Sequence, residues 1–158
     1  MTEGRDGTIR YTIGEAADIL GVSVPTLRLY EREGLILPQR KKSRHRLFTD
    51  ADLERVRCIR HTITGKKVSI AGIKHLLSLI PCWKIRDCPD QDRLQCAAFI
   101  NSESPCWAVS HRVWKCRTAD CRTCPVYADL SDCSTLKQTI AAFTIDSPTP
   151  EPPEDIPQ

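Results

Sequence analysis

The sequence predicts a mainly α-helical fold in two parts: a winged helix-turn-helix domain, then a small irregular cysteine-rich domain stapled by metal. Three observations carry this. Two capped apolar-periodic segments are joined by a tight glycine turn, a basic stretch lies between two short apolar pieces, and eight of the nine cysteines fall within residues 82–133. Charge divides at the same place. Residues 1–80 carry a net +6 and residues 81–158 a net −3, so the overall +3 hides a basic half joined to an acidic one. A small basic domain points to a polyanionic partner, usually nucleic acid.

Each element has a local signal. Thr12 and Glu15 form a capping-box pattern, so a helix starts at Ile13 and carries Ala16, Ala17, Ile19 and Leu20. Gly21 stops it, because glycine accepts the left-handed conformation of a helix end. Ser23 caps a second helix with Pro25 in its first turn, and that helix runs to about Glu33, where Gly34 ends it. This helix carries Thr26, Arg28, Tyr30 and Arg32, with Leu27 facing the core. A helix of this width fits the major groove of B-DNA, where arginine binds guanine or phosphate and a tyrosine hydroxyl reaches phosphate.

Leu35-Ile36-Leu37-Pro38 and Leu47-Phe48 then flank the basic run Gln39 to His45 and Arg46. Two apolar pieces around a basic tip suit a β-wing lying along phosphates, with Arg44 and Arg46 as contacts. Thr49 with Asp52 opens a third helix bearing Leu53, Val56, Ile59 and Ile63, and Ser69 opens a fourth. Cys58 reads as ordinary packing in the third helix.

The run Tyr11 to Leu77, with TLRLYEREGLI, a following P-x-R, a basic wing and a helix opening T-D-x-D, resembles the DNA-binding domain of the MerR family, most nearly its heat-shock-repressor branch. The resemblance covers about two-fifths of the chain. It implies a transcriptional regulator, not an enzyme, that binds an inverted-repeat operator in double-stranded DNA as a homodimer. It also implies DNA contacts from Arg28 and Tyr30 on the recognition helix and Arg46 on the wing. Branch similarity leans towards repression, with RNA polymerase or a chaperone as further partners. Two features depart from the family. Leu29 stands where many members have a second tyrosine, and Pro81-Cys82 follow the fourth helix where a long dimerisation helix is usual. Proline is poorly tolerated inside a helix, so that element is absent or replaced.

The second half holds only eight Ile, Leu, Val or Phe residues between Cys82 and Cys133, too few for a core of its own. It repeats internally. Pro81-Cys82-Trp83 closes with Cys96-Ala97-Ala98-Phe99, and Pro105-Cys106-Trp107 closes with Cys124-Pro125-Val126-Tyr127. This resembles the paired CW cysteine-rich modules, which name no ligand. No run of 18 apolar residues and no apolar leader is present, so no membrane partner and a cytoplasmic location are expected. There, crowded cysteines read as metal ligands before disulfides.

The candidate ligands are Cys82, Cys88, Cys96, Cys106, Cys116, Cys121, Cys124 and Cys133. Cys116-x4-Cys121-x2-Cys124 matches the first three ligands of a plant-type [2Fe–2S] loop, with Cys106 or Cys133 as the fourth. Cys82, Cys88 and Cys96 would form a second set with the remaining one. Only Cys121-x2-Cys124 fits the paired spacing of structural zinc, so an iron–sulfur cluster is preferred to zinc, with metal-free redox thiols third. His111 is a weaker ligand candidate, and Trp83 and Trp107 read as packing for a thin core.

The expected organisation is a flexible 1–9, a DNA-binding domain over 10–80, a metal or iron–sulfur domain over 81–135, a short helical or linker segment over 136–145, and a disordered acidic proline-rich tail over 146–158. The expected function is a DNA-binding regulator whose cysteine-rich half senses redox state or metal. The alternative is a regulator whose cysteine-rich half is a purely structural zinc or protein-interaction module.

Overall fold

A computed structural model describes residues 8–40, 45–101, 103–109, 116, 118–129, 138 and 140–142, and the backbone of 2–3. The order is β1 (Thr2–Glu3), β2 (Ile9–Thr12), α1 (Ile13–Leu20), α2 (Val24–Arg32), β3 (Gln39–Arg40), β4 (Arg46–Phe48), α3 (Asp50–Thr64) and α4 (Ile70–Ser78). Short helices follow: α5 (Cys82–Ile85), α6 (Asp90–Arg93), α7 (Ala97–Ile100) and α8 (Pro125–Ala128), with 3-10 turns at Cys106–Ala108 and Cys121–Thr123. Among the described residues no helix is long and apolar enough to cross a membrane.

The four longer helices begin where their caps dictate. Thr12 and Glu15 close a reciprocal capping box on α1, and Thr49 and Asp52 close another on α3. Ser23 accepts from the Thr26 amide at the start of α2, and Ser69 from the Gly72 amide at the start of α4. Gly21 (φ 59°) and Gly34 (φ 71°) end the first two helices in the left-handed region. Arg60 donates to the Leu20 carbonyl at 2.6 Å, satisfying a carbonyl that the end of α1 leaves open.

The sheet is antiparallel in the order β1-β2-β4-β3. Tyr11 pairs with Phe48 and Gln39 with Leu47, so the wing strands β3 and β4 are anchored on β2 beside α1. The segment expected to be flexible at the chain start thus supplies β1, which pairs with Ile9 and Arg10.

Two cores result. Ala16, Ala17, Leu20, Leu27, Tyr30, Leu35, Ile36, Phe48, Leu53, Val56, Ile59 and Ile73 form the first. Ile80, Trp107, Val126 and Tyr127 form the second, with Cys82, Cys106, Cys121 and Cys124 against it. Leu77 packs on both. The cysteine-rich half is therefore not a separate ball on a linker. Its core begins at Ile80, 2% exposed, immediately after α4.

Candidate nucleic-acid interface and cysteine chamber

On α2, Arg28 and Arg32 are exposed and Thr26 is half-buried. The Thr26 hydroxyl lies 2.8 Å from that of Ser23, so it also supports the cap. Tyr30 departs from the expected DNA contact. It is 6% exposed and belongs to the first core, because it sits three residues from Leu27 on the inward stripe of the helix. Burial also raises its hydroxyl above the ordinary tyrosine value.

Arg46 is half-buried, with 30% of its side chain exposed, and it is paired within the molecule. Glu31 of α2 pairs with Arg46 of β4 and, at 2.7 Å, with Arg40 of β3. Burial pushes the Glu31 carboxyl up, but the hydrogen bonds from Arg40 and Arg46 outweigh it, and the net shift is downward. Recognition helix and wing are thus clamped by one carboxylate. Arg44 lies outside the described residues, as do Cys133 and His111.

The sequence suggested two separate four-cysteine sets. The structure instead brings Cys82, Cys88, Cys96, Cys106, Cys116, Cys121 and Cys124 to the wall of one chamber of about 40 Å³. The repeat is visible in its construction. Cys82 opens α5 after Pro81, and Cys106 opens a 3-10 turn after Pro105. Cys96 and Cys124 stand at the N-terminal ends of α7 and α8. Each unit closes with an edge-to-face aromatic pair, Trp83 with Phe99 at 5.0 Å and Trp107 with Tyr127 at 5.2 Å.

Across the chamber the Cys82 and Cys106 thiols, equivalent in the two units, share a hydrogen bond. That bond lowers Cys82, whose sulfur accepts, and raises Cys106, which burial raises further. Burial also raises Cys116, opposed by a hydrogen bond from Arg86 and its charge, and raises Cys121, reinforced by Cys124. Arg86, Arg93 and Asp92 also line the chamber, and Arg93 pairs with Asp90. Among the described residues no three Cys, His, Asp or Glu side chains converge closely enough to hold a metal ion; the thiols ring a space. Cys58, read as plain helix packing, is disulfide-bonded, and the seven chamber cysteines are not in disulfides.

Sequence reasoning missed Arg55. It is 4% exposed and donates to the carbonyl of Tyr127, with its guanidinium carbon 3.8 Å over the Tyr127 ring. Burial lowers its pKa, opposed by Tyr127 and by Asp52 one turn away. A signal did exist. Arg55 falls on the same stripe of α3 as Asp52, Val56 and Ile59, where an exposed arginine does not belong.

Residues 11–80 match the family described as MerR HTH family regulatory protein. Over 69 residues the chain is 45% identical to the HTH-type transcriptional regulator MlrA of Escherichia coli K12, covering 43% of this chain and 28% of MlrA. It is 35% identical over 69 residues to a Streptomyces coelicolor protein named as "Putative heat shock protein HspR", covering 44% of this chain and 46% of that one. Identity is 45% over 68 residues to a Haemophilus influenzae protein named as a probable heavy metal-dependent transcriptional regulator, covering 42% and 52%. The chain thus spans between a quarter and about half of the length of these relatives, and each alignment is shorter than the cysteine-bearing whole. The caps, the glycine-ended recognition helix, the paired wing and the match agree: residues 11–80 of this chain form a MerR-type helix-turn-helix DNA-binding domain.

Proposed function

We propose that this protein is a DNA-binding transcriptional regulator, with repression as the preferred mode, whose cysteine chamber holds an iron–sulfur cluster or zinc and responds to redox state or metal. One observation carries the reading: seven thiols ring a chamber whose aromatic wall packs against the end of the recognition helix. Arg28 and Arg32, exposed on α2, are the DNA contacts this geometry favours, with Thr26 at its N-terminal end and the basic wing, including Arg44 and Arg46, along phosphates. Two such helices in a homodimer would read an inverted repeat in cytoplasmic DNA.

The chemistry of the donor set suits a soft metal, although the thiols among the described residues ring a space without converging on one point. Thiolates select zinc and iron–sulfur centres, and a four-thiolate centre is anionic, a charge towards which Arg86 of the chamber wall contributes a cation. Cys82, Cys106, Cys121 and Cys124, packed on the second core, are the first candidates as ligands, with Cys88, Cys96 and Cys116 on the same wall. A cluster, when bound, supplies a one-electron redox change; zinc supplies a closed structural knot. The chain's own residues close the space, exclude water through Trp107 and Tyr127, and balance charge.

A purely structural role has its own support, because the same aromatic residues brace the DNA-binding half. Protein purified without oxygen decides between them. A brown protein containing iron and sulfide, whose affinity for a duplex chosen by in vitro selection changes reversibly when the cluster is lost, supports sensing. Colourless protein with stoichiometric zinc, whose removal unfolds residues 81–129 without a graded change in affinity, supports the structural module and overturns sensing.

A further inference from the structure

Beyond the family match, which ends at residue 80, the second cysteine unit reaches back into the DNA-binding domain. Trp107 donates its indole N–H to the carbonyl of Gly34 at 2.8 Å. The Leu37 amide donates to the Tyr127 hydroxyl at 2.8 Å. Arg55 donates to the Tyr127 carbonyl and stacks on its ring. The Ala108 methyl sits where a side chain on Gly34 would be, 2.8 Å from the position of its Cβ.

Gly34 ends the recognition helix, and Leu37 lies two residues before the wing strand β3. Three of these contacts therefore grip the joint between the two elements that must fit groove and backbone together, and the Arg55 contact ties Tyr127 to α3. On the other side, each anchor is tied to a chamber cysteine. Trp107 follows Cys106 within one 3-10 turn, and Tyr127 lies in the single turn of α8 that Cys124 starts. A change at either sulfur that shifts its turn moves an anchor. The first unit differs: its Phe99 is 39% exposed, whereas Trp107 and Tyr127 are 8% and 5% exposed between chamber and helix.

We propose that Trp107 and Tyr127 are positioning residues for DNA reading, which set the angle between recognition helix and wing and make that angle depend on the state of the chamber thiols. The proposal rests on the DNA-binding reading above but not on which metal occupies the chamber. The link is close to all-or-none. If an anchor withdraws, the Gly34 carbonyl and the Leu37 amide lose their partners in a part-buried site, so intermediate positions are disfavoured. Linkage then requires that whatever favours one chamber state also favours one helix–wing angle.

The test uses the full-length protein with the Cys58 disulfide kept intact, and two independent perturbations of the chamber: zinc ion added and then chelated, and thiol alkylation with N-ethylmaleimide. Amide hydrogen exchange is followed over residues 24–40, alongside affinity for a duplex selected with the wild-type protein. In wild type, exchange in this segment is expected to change by roughly fivefold or more with chamber state, about the effect of one hydrogen bond. Tyr127→Phe keeps the ring and removes the acceptor. Trp107→Phe keeps an aromatic and removes the donor. Both should reduce that response to less than about twofold, while exchange at Leu53 and Val56 in the first core stays slow.

The proposal is overturned if residues 24–40 in wild type ignore both perturbations, or if both variants respond as wild type does. Either variant suffices if the other fails to fold. A chamber that binds no metal sinks the metallo-sensor reading alone, since alkylation still interrogates the grip. A helix–wing joint that responds in a protein without affinity for any selected duplex sinks DNA reading, and with it the role assigned to that joint.

Discussion

At Gly34 two constraints coincide. Its φ of 71° disfavours any side chain, and the Ala108 methyl already occupies the volume that a Cβ would need. Gly34→Ala should therefore destabilise the protein by about 2 kcal/mol or more, as measured by urea denaturation. Adding Ala108→Gly should recover only the steric part, because the backbone strain remains. Arg28 gives a different kind of test. It is exposed on the recognition helix, so Arg28→Ala should leave stability nearly unchanged yet weaken binding to a selected duplex by about 1–3 kcal/mol. Unchanged affinity would remove α2 from the groove. Residue chemistry alone misplaced Tyr30, since a hydroxyl on a recognition helix suggests phosphate. Its spacing from Leu27 already placed it inward. Trp107 and Tyr127 carried no such clue, because their partners are 73 and 90 residues away in sequence.

Elements with local punctuation were legible. The starts of α1 to α4 follow from Thr12, Ser23, Thr49 and Ser69, whose caps act within one turn. The four-residue helices of the cysteine-rich half were not, because a single turn is too short to be stable alone and exists only where cysteine and aromatic packing holds it. The wing illustrates a tertiary tie between elements. Glu31 has its carboxyl held below the ordinary 4.5, so the stability it contributes is fully present above that pH and lost as pH falls through the lower folded value. Acidification should accordingly loosen β3 and β4 from α2. Glu31→Gln should abolish this acid-dependent step and cost about 1 kcal/mol at neutral pH, read from the pH dependence of urea midpoints. An acid step that persists unchanged in Glu31→Gln would assign it to another carboxylate.

For the whole molecule, the sequence divided the chain at residue 80, and the fold respects that division only in part. The match to the family and the first core stop there, but Leu37 and Leu77 from the DNA-binding half pack on the second core. A fragment ending at residue 80 should fold with its caps intact but be less stable than the full chain by about 2–3 kcal/mol, since Ile80 and Leu37 lose their cover. Circular dichroism against urea for the two proteins checks this. Equal midpoints would mean that the second core adds nothing to the first. The merging of the cysteines into one chamber was invisible for a related reason. Spacing along the chain sorts ligands by proximity in sequence, whereas Cys82 and Cys106 meet because the two repeats face each other.

The junction at Ile80 and Pro81 contains no spacer: the last helix of the DNA-binding half runs at once into the first residue of the second core. A module joined this way is held against its docking site at a very high effective concentration. Its docking is therefore indifferent to dilution, and the same module supplied as a separate chain would compete poorly for the site. In the proposed sensing role, the contacts of Trp107 and Tyr127 lead to the recognition helix of the same chain, so a signal from the chamber would travel in cis.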